Sequence, residues 1–448
     1  MTGASVTKKY SSLALCICST LAFSPSLSYA SSTVSNSQWE NNSSLPYSAS
    51  NPYEIALFSA HNGEDKARLW SQTQSIIGYG LGVAGFLALL PSDFTNWDKS
   101  DDRLLEKWYD NVTEGPVWDR DVWYINYIGH PYFGGVYYQV ARKSGYRQWD
   151  SFLYSALMST VYWEYGVEAF AEVPSIQDLV VTPVLGWVYG EWAFQQERHI
   201  RASGGKVLGS QTLGDTALFL LDPVDSIGRG INQLTGRNLV KAGTGYISYN
   251  QQQHRNGKTD NQIALNVSYQ LNDPNQRSDR HYRERGYTQL TNDPVTYGIV
   301  GITAGASYLN LDPKWGLKND WAPTMSLGLY FTKQFSSRLN YTRADLKSTT
   351  TQQTNTYESY NLDVQYYFNP HGQLRPYVSA GIGESLKDQD RDIKSFQYVG
   401  GAGLHYKFHP NWAFQLDWRH HYGTKYSTND DLFTGQIVYR FGQGEQGL

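Results

Sequence analysis

The stretch Trp412-Ala-Phe-Gln-Leu-Asp-Trp-Arg-His-His-Tyr422 alternates between apolar and polar residues along almost its whole length. Successive side chains of a β-strand point to opposite faces, so one face of this segment would be aromatic and aliphatic and the other largely polar. The apolar face would hold Trp412, Phe414, Leu416, Trp418 and Tyr422, and the other face Ala413, Gln415, Asp417, Arg419 and His421. About ten residues of this kind can cross a bilayer at a tilt, so the stretch predicts a transmembrane β-strand.

The same period of two recurs through the C-terminal half of the chain. We count ten predicted strands, at residues 240–250, 261–271, 297–308, 323–333, 335–346, 357–368, 374–384, 396–408, 411–422 and 432–441. Three connections are short (Gln334, Asn369–Gln373 and His409–Pro410), and the alternating ones are longer and polar (Leu309–Ala322, Lys347–Thr356, Ser385–Ser395 and Gly423–Asp431). Outer-membrane barrels have short periplasmic turns and longer outer loops, so this rhythm predicts an antiparallel barrel with both ends in the periplasm.

One connection breaks the rhythm. Asn272–Thr296 is long and charged, although its place in the count puts it on the periplasmic side. Either this segment caps the mouth of the barrel, or the first predicted hairpin lies outside the barrel. The second alternative leaves a barrel of eight strands instead of ten.

The predicted inner face of the barrel is polar and carries charges of both signs. Its members include Asp363, Asp417, Arg419, His421 and Arg440. Asp417 and Arg440 lie on neighbouring predicted strands, which would allow them to pair. Small barrels are filled by side chains, so we interpret this set as a plug of the lumen and not as a pore or a catalytic site.

Composition agrees with this class of protein and excludes others. The chain has 448 residues with 37 Lys and Arg against 41 Asp and Glu, and this weak negative charge does not suit a nucleic-acid-binding protein. Aromatic residues make up 15% of the chain and there are 41 glycines, as expected for a barrel with aromatic girdles. No run approaches the roughly 20 apolar residues of a membrane-spanning helix.

The N-terminal residues have the layout of a targeting segment. Met1–Ala30 has two lysines, an apolar run and a small-x-small end, which predicts a secretory signal peptide. Cys16 and Cys18 both lie within it, so the mature chain is expected to contain no cysteine and therefore no disulfide, thiolate metal site or cysteine nucleophile. Residues 31–51 are rich in Ser and Asn and are predicted to be a disordered leader.

Residues 52–239 read as helical. The apolar run Ile76–Leu90 is short for a membrane span and is predicted to be a buried or interfacial helix. Three further helices are predicted at about 121–144, 147–172 and 175–201, with Ser175 as the N-cap of the last one. These helices are aromatic on several faces, which indicates either an aromatic core or a domain that docks against the barrel, the membrane surface or a lipid.

Four polar residues of this half are candidates for chemistry. His130 follows a Gly and precedes a Pro, Glu164 and Glu168 are four residues apart and would share one helical face, and Asp178 follows on the next helix. Such a set can bind a divalent metal, at His130, Glu164 and Glu168, or form a general base with its orienting partner. The alternative is a buried polar network that fixes the packing of the helices. The motif of a serine hydrolase elbow, Gly-x-Ser-x-Gly, is absent from the sequence.

Both halves resemble known families. Residues from Gly298 to Phe441 resemble the eight-stranded OmpA-like outer-membrane barrels, through Arg375-Pro-Tyr-Val-Ser-Ala-Gly-Ile-Gly383, Tyr398-Val-Gly-Gly-Ala-Gly-Leu-His-Tyr406 and Tyr439-Arg-Phe441. An aromatic residue near the chain end is the usual barrel-assembly signal of that family, but here residues 442–448 follow Phe441 as a short tail. The resemblance implies help from the barrel-assembly machinery.

The helical half is similar to the bacterial domain-of-unknown-function 3943 family. The carrying stretches are Asn126-Tyr-Ile-Gly-His-Pro-Tyr-Phe-Gly-Gly135, Ser159-Thr-Val-Tyr-Trp-Glu-Tyr-Gly-Val-Glu168, Pro174-Ser-Ile-Gln-Asp178, Thr182-Pro-Val-Leu-Gly186 and Leu221-Asp-Pro223. The resemblance covers roughly residues 100–235 and implies an envelope protein, often with a barrel attached. It implies no particular reaction, although the four candidate residues fall on its most recognisable positions.

The sequence therefore predicts a segregated α+β chain. A periplasmic or interfacial helical domain (52–239) precedes an antiparallel transmembrane β-barrel of eight to ten strands (240–441) in the bacterial outer membrane. The favoured function is structural, lipid-binding or envelope-maintaining, with outer-membrane lipids or lipopolysaccharide as partners, no nucleic acid and no required cofactor. The alternative is an enzyme that modifies lipid A, phospholipid or surface polysaccharide through His130, Glu164, Glu168 and Asp178.

Overall fold

The structure is a computed structural model, and it describes two regular halves. The residues described are 53–55, 57–58, 64–89, 104–118, 123–228, 245–253, 259–267, 293, 295–351, 353–388 and 390–441. The predicted signal peptide, the disordered leader and the C-terminal tail lie outside these residues, as does most of the connection 272–296.

The C-terminal half is a closed antiparallel barrel of eight strands, β3 to β10, in which β10 pairs with β3. The strands are β3 (Val300–Asn310), β4 (Asp320–Leu329), β5 (Phe335–Lys347), β6 (Thr354–Tyr367), β7 (Leu374–Lys387), β8 (Asp390–His409), β9 (Trp412–Gly423) and β10 (Thr428–Arg440). The predicted fold class, helices followed by an antiparallel barrel, is confirmed. The eight-strand alternative for the barrel is confirmed as well.

The first predicted hairpin is not part of the barrel. Its strands, β1 (Gly245–Gln253) and β2 (Thr259–Val267), pair only with each other in a separate two-stranded sheet. The ten-strand alternative and the inclusion of residues from 240 onward in the barrel are therefore wrong. The sequence offers a reason, because the end of β1 reads Asn-Gln-Gln-Gln and supplies no apolar face along its full length.

The ends of several strands differ from the prediction. The short turns are where they were expected, at residues 330–334, 368–373 and 410–411. The predicted outer loop Ser385–Ser395 is wrong, because β7 and β8 continue as a paired hairpin to Lys387 and Asp390. Backbone hydrogen bonds between antiparallel strands do not require apolar side chains, so a hairpin can extend past the apolar band that the pattern detects.

The lumen is filled by buried polar side chains. Arg338 lies between two carboxylates, 3.2 Å from Asp363 and 3.4 Å from Asp417, and Arg419 contacts Asp417 at 2.8 Å. The predicted plug is thus confirmed, but the predicted Asp417–Arg440 pair is wrong. Asp417 pairs in register with Thr434, six residues or about 20 Å along β10 from Arg440, which donates to the Gly298 carbonyl instead.

The helical half contains α1 (Lys66–Leu89), α2 (Leu104–Glu114), α3 (His130–Lys143), α4 (Gln148–Leu157), α5 (Ile176–Ala202) and α6 (Gln211–Leu221). Two π-helical segments, Ile125–Gly129 and Met158–Val167, and a 3-10 turn, Glu168–Phe170, interrupt the long helices that the sequence predicts. Helices α2 and α6 were not predicted. Among the described residues, no helix has the length and apolarity to cross a membrane.

The helical domain packs against the outer wall of the barrel. Trp118 stacks on Tyr341 and Tyr360, whose side chains alternate with the lumen residues of β5 and β6 and therefore point outward. A second cluster joins Phe152 and Trp187 to the end of the barrel where β3 begins and β10 ends. The docking on the barrel that the aromatic helices suggested is therefore present, and it covers part of the outer wall with protein.

Candidate functional site

His130 lies at the junction between a π-helical turn and helix α3. The π-helical turn Ile125–Gly129 ends directly before it, and α3 begins at His130 with Pro131 in the first turn. Proline is tolerated there because the first N–H groups of a helix have no partner within it. The His130 side chain is 16% exposed, and its Nδ1 lies 3.0 Å from Asp178 Oδ1.

Glu164 and Glu168 lie on the second π-helical segment and on the 3-10 turn that follows it. Side chains of α2 donate hydrogen bonds to two backbone carbonyls of this region. Trp108 Nε1 donates to the Tyr165 carbonyl at 2.7 Å and Asn111 Nδ2 to the Ala169 carbonyl at 2.9 Å. Helix α2 thus supports the backbone that carries both glutamates, and π-helical segments are often found at functional sites.

Asp178 lies in the first turn of α5, where the predicted cap is confirmed. Ser175 Oγ accepts a hydrogen bond from the Asp178 N–H at 3.2 Å, and Thr182 Oγ1 donates to Asp178 Oδ1 at 3.4 Å. The Ser175 N–H also donates to Glu164 Oε2 at 3.0 Å. Ser175 therefore donates to the Glu164 carboxylate and caps the turn of α5 that carries Asp178.

Glycines bring the helices that carry His130 and Asp178 into close contact. A Cβ atom on Gly186 would lie 2.6 Å from the carbonyl carbon of Gly134, and one on Gly190 would lie 3.0 Å from Gly135 Cα. His130 precedes Gly134 by about one turn and Asp178 precedes Gly186 by about two turns. The close approach of α3 and α5 therefore brings the His130 imidazole next to the Asp178 carboxylate.

The structure brings the predicted residues together. One donor atom from each of His130, Glu164 and Asp178 lies within 4.8 Å of the others, and Glu164 and Asp178 are buried. Burial, followed by the negative charge of Asp178, raises the pKa of Glu164 well above its usual range. Burial and the neighbouring Glu164 raise the pKa of Glu168 in the same direction. Glu168 thus flanks Glu164, and Asp178 instead of Glu168 completes the group around the imidazole.

A second group of acids lies near the other end of the same helices. Glu197, Asp222 and Asp225 have donor atoms within 4.8 Å of one another, and Lys143 Nζ contacts all three. Asp222 belongs to the Leu221-Asp-Pro223 stretch. Because an ammonium group already occupies the centre, we interpret this group as a structural ion-pair network.

The two halves of the chain match two different family models. Residues 115–224 match the model of a domain of unknown function (DUF3943), and they include all four predicted site residues. Residues 289–441 match the model of the outer membrane protein beta-barrel domain, and this segment contains the closed eight-stranded barrel. The closed barrel of this chain is therefore similar to outer-membrane β-barrel domains.

Solved structures similar to this chain include outer-membrane proteins of about the size of this barrel domain. Neisserial surface protein A is 16% identical, with 32% of this chain and 97% of that chain covered and a TM-score of 0.28. The N-terminal β-barrel domain of Pseudomonas aeruginosa OprF is 21% identical, with 32% and 97% covered and a TM-score of 0.24. Ail of Yersinia pestis, in complex with a heparin analogue, is 16% identical, with 32% and 97% covered and a TM-score of 0.24. No curated protein matches the chain.

Sequence reasoning missed several residues that shape these sites. Arg338, the cation between two lumen carboxylates of the barrel, lies on the polar face of a predicted strand and was detectable from its alternation. Thr182 was hidden because its contact with Asp178 depends on a helical turn, and the pattern of α5 is too mixed to reveal which face it presents. No sequence pattern identifies Trp118, because its role depends on its contact with the outer wall of the barrel.

Proposed function

We propose that this outer-membrane protein binds membrane lipid with its helical domain, beside the wall of the barrel. The observation that best supports this is an apolar surface around the π-helical segments, which keep large side chains exposed: Trp123, Tyr124, Tyr127, Ile128, Phe133, Leu157 and Val161. Trp123 is 64% exposed and Val161 61%. Soluble domains rarely expose apolar patches of this kind unless a partner or a membrane covers them.

The position of the domain favours lipid as the covering partner. The helices pack on an outer barrel wall whose uncovered parts, such as Val364 and Phe433, expose apolar side chains that face lipid in a transmembrane barrel. Phe152 and Trp187 meet the barrel at the end that carries its short turns, which supports an approach from the periplasmic side. The acyl chains of phospholipid or lipopolysaccharide fit such a surface.

Lipid retention tests the proposal. The full chain is purified in mild detergent, and native mass spectrometry counts the phospholipid and lipopolysaccharide molecules that remain bound. We expect the double variant Ile128→Ser with Phe133→Ser to retain several-fold less lipid than the wild type. Leu208→Ser is the matched control, because Leu208 is 94% exposed in a loop outside this surface. Equal retention by all three proteins would contradict lipid binding at this surface.

The side of the membrane is tested by thiol labelling. Cys16 and Cys18 are the only cysteines of the chain and are replaced by Ala, after which one cysteine is introduced at Leu208 or at Thr349. We expect a membrane-impermeant maleimide to label Thr349→Cys, in the connection between β5 and β6, on intact cells. Leu208→Cys should react only after the outer membrane is permeabilised. Labelling of Leu208→Cys on intact cells would place the helical domain on the outer side.

A second candidate function is supported by one contact beneath the same surface. The 3.0 Å contact of His130 Nδ1 with Asp178 Oδ1 orients the imidazole in the way that an acid–base catalyst requires. A lipid bound at the exposed surface would lie close to this pair. The reaction class would be hydrolysis or group transfer on lipid A, a phospholipid or a surface polysaccharide.

Envelope mass spectrometry separates the two functions. Lipids and lipopolysaccharide are compared among a deletion strain, the wild type, His130→Ala and His199→Ala, the last being an exposed histidine on the same domain. A discrete mass change in the deletion that recurs in folded His130→Ala but not in His199→Ala is expected of an enzyme. Unchanged masses in all strains would exclude a lipid-modifying reaction and leave lipid binding.

A further inference from the structure

We infer that His130, Glu164 and Asp178 bind one divalent first-row transition-metal ion of the class of Zn²⁺, Mn²⁺ and Fe²⁺. Their donor atoms lie within 4.8 Å of one another. Ligands of one ion, each about 2.0–2.2 Å from it, lie roughly 3 to 3.5 Å apart, and the 3.0 Å contact of His130 Nδ1 with Asp178 Oδ1 has this spacing. The site goes beyond lipid binding, because an ion can be bound whether or not lipid is.

The donor set selects the class of metal. One imidazole and two carboxylates suit Zn²⁺, Mn²⁺ and Fe²⁺, whereas Mg²⁺ and Ca²⁺ favour oxygen ligands alone. Three protein ligands leave at least one coordination position for water or for a substrate oxygen, as in catalytic metal sites. The imidazole is also partly accessible, since the His130 side chain is 16% exposed.

Glu164 gives independent support for a cation at this place. Its side chain is 2% exposed, the Glu168 carboxyl group lies beside it, and its Oε1 atom accepts no hydrogen bond from an amide, hydroxyl or basic group of the described residues. No Lys or Arg of the described part forms an ion pair with it either. A buried carboxylate without a compensating cation is costly, and a bound metal ion would supply both the missing charge and the missing contact.

The second acidic group provides an internal comparison. Glu197, Asp222 and Asp225 have donor atoms at the same spacing, but Lys143 Nζ contacts all three. There the positive charge is part of the chain. In the group of His130, Glu164 and Asp178, the Ser175 N–H donates to Glu164 Oε2, and Thr182 Oγ1 donates to Asp178 Oδ1, the oxygen that also contacts His130. Donors of this kind orient the ligands of metal sites.

The experiment measures metal directly on the full chain in detergent or nanodiscs. The protein is treated with a chelator, dialysed against Zn²⁺ and then against metal-free buffer, and its zinc content is measured by mass spectrometry. We expect one Zn²⁺ per chain, and a visible absorption band when Co²⁺ replaces it. Asp178→Asn and Glu164→Gln should each weaken binding by about tenfold or more. Asp222→Asn, in the group that holds Lys143, should bind zinc like the wild type.

Several outcomes overturn the inference. Wild-type protein that retains no zinc excludes the site, and equal zinc content in Asp178→Asn, Glu164→Gln and wild type assigns the metal to another place. Heat-modifiability on gels checks that each variant is folded. If the variants do not fold, the inference is tested by the zinc content and the Co²⁺ spectrum of the wild type. Lipid retention is measured on the same samples, so that loss of metal with normal lipid, or the reverse, distinguishes failure of this inference from failure of the lipid proposal.

Discussion

Trp118 lies flat on Tyr341, with the ring centroids 4.4 Å apart and the ring planes 2° from parallel. The contact joins the helical domain to the outer wall of the barrel. The residue before Trp118, Val117, exchanges backbone hydrogen bonds with the segment at Ser175: the Ile176 N–H donates to the Val117 carbonyl at 2.8 Å. Ser175 in turn holds Glu164, so a short covalent and hydrogen-bonded path leads from the barrel wall to the candidate site.

Replacing Trp118 should release the helical domain while leaving the barrel folded. Trp118→Ala removes a buried aromatic side chain and is expected to cost about 3 to 5 kcal/mol of docking stability. We expect faster proteolysis of the helical domain with an unchanged heat-modifiable barrel on gels. Trp321→Ala is the control, because Trp321 lies on the outer wall and is 63% exposed. Equal proteolysis rates in the two variants would show that the stacking contact does not hold the domain.

The close approach of α3 and α5 should be sensitive to a single methyl group. A Cβ atom on Gly186 would lie 2.6 Å from the backbone of Gly134, so Gly186→Ala must push the helices apart. We expect a loss of about 1 to 3 kcal/mol in the free energy of unfolding of the helical domain, measured by thermal denaturation followed by circular dichroism.

The matched control for Gly186 is Gly82 in α1. A Cβ atom there would have nothing within 4 Å, so Gly82→Ala should be neutral or should stabilise by about 0.5 to 1 kcal/mol through helix propensity. A melting temperature of Gly186→Ala at or above that of Gly82→Ala would contradict the packing of α3 on α5.

The sequence predicts the barrel well because lipid imposes a strict alternation of side chains. Outward residues such as Leu416 must be apolar and inward residues such as Asp417 are free to be polar, so the period of two survives in every strand. The limits of the strands are less predictable, since the hairpin of β7 and β8 continues to Lys387 and Asp390, beyond the residues that alternate regularly. Pairing across the lumen depends on the stagger of neighbouring strands, which explains the wrong partner for Asp417.

The residues of the candidate site were also predictable, but their arrangement was not. His130, Glu164 and Asp178 stood out as polar residues in aromatic surroundings. The spacing of apolar residues predicts a helix here but does not distinguish an α-helix from the π-helix found at Met158–Val167. The two differ only by a slightly wider turn, which requires no particular residue type. That π-helix, together with the glycine contacts of α5, decides that Asp178 and not Glu168 completes the group with His130 and Glu164.

The central cation of the lumen should carry much of the stability of the barrel. Arg338→Met leaves Asp363 and Asp417 buried without one of their cations and is expected to cost about 3 to 5 kcal/mol. The urea midpoint of unfolding, followed by heat-modifiability on gels, should fall accordingly. Lys347→Met is the control on the outer face of the same strand, because Lys347 is exposed. Its loss should change stability by less than about 1 kcal/mol, and an equal effect of both variants would argue against a structural plug.

Ser175 and Ser210, two N-caps of the helical domain, should contribute equally to stability, but only Ser175 should affect zinc binding. Ser175 accepts from the Asp178 N–H at 3.2 Å and Ser210 accepts from the Leu213 N–H at 3.3 Å, so either change to Ala should cost about 1 kcal/mol in the free energy of unfolding. Ser175→Ala also frees the first turn of α5, on which Asp178 lies, whereas Ser210 caps α6, which carries none of His130, Glu164 and Asp178. We therefore expect zinc affinity to fall in Ser175→Ala and to be unchanged in Ser210→Ala, as measured by competition with a chromogenic chelator. If both variants lost the same stability and the same affinity, zinc binding would report general loosening of the domain, and the cap would have no specific part in positioning Asp178.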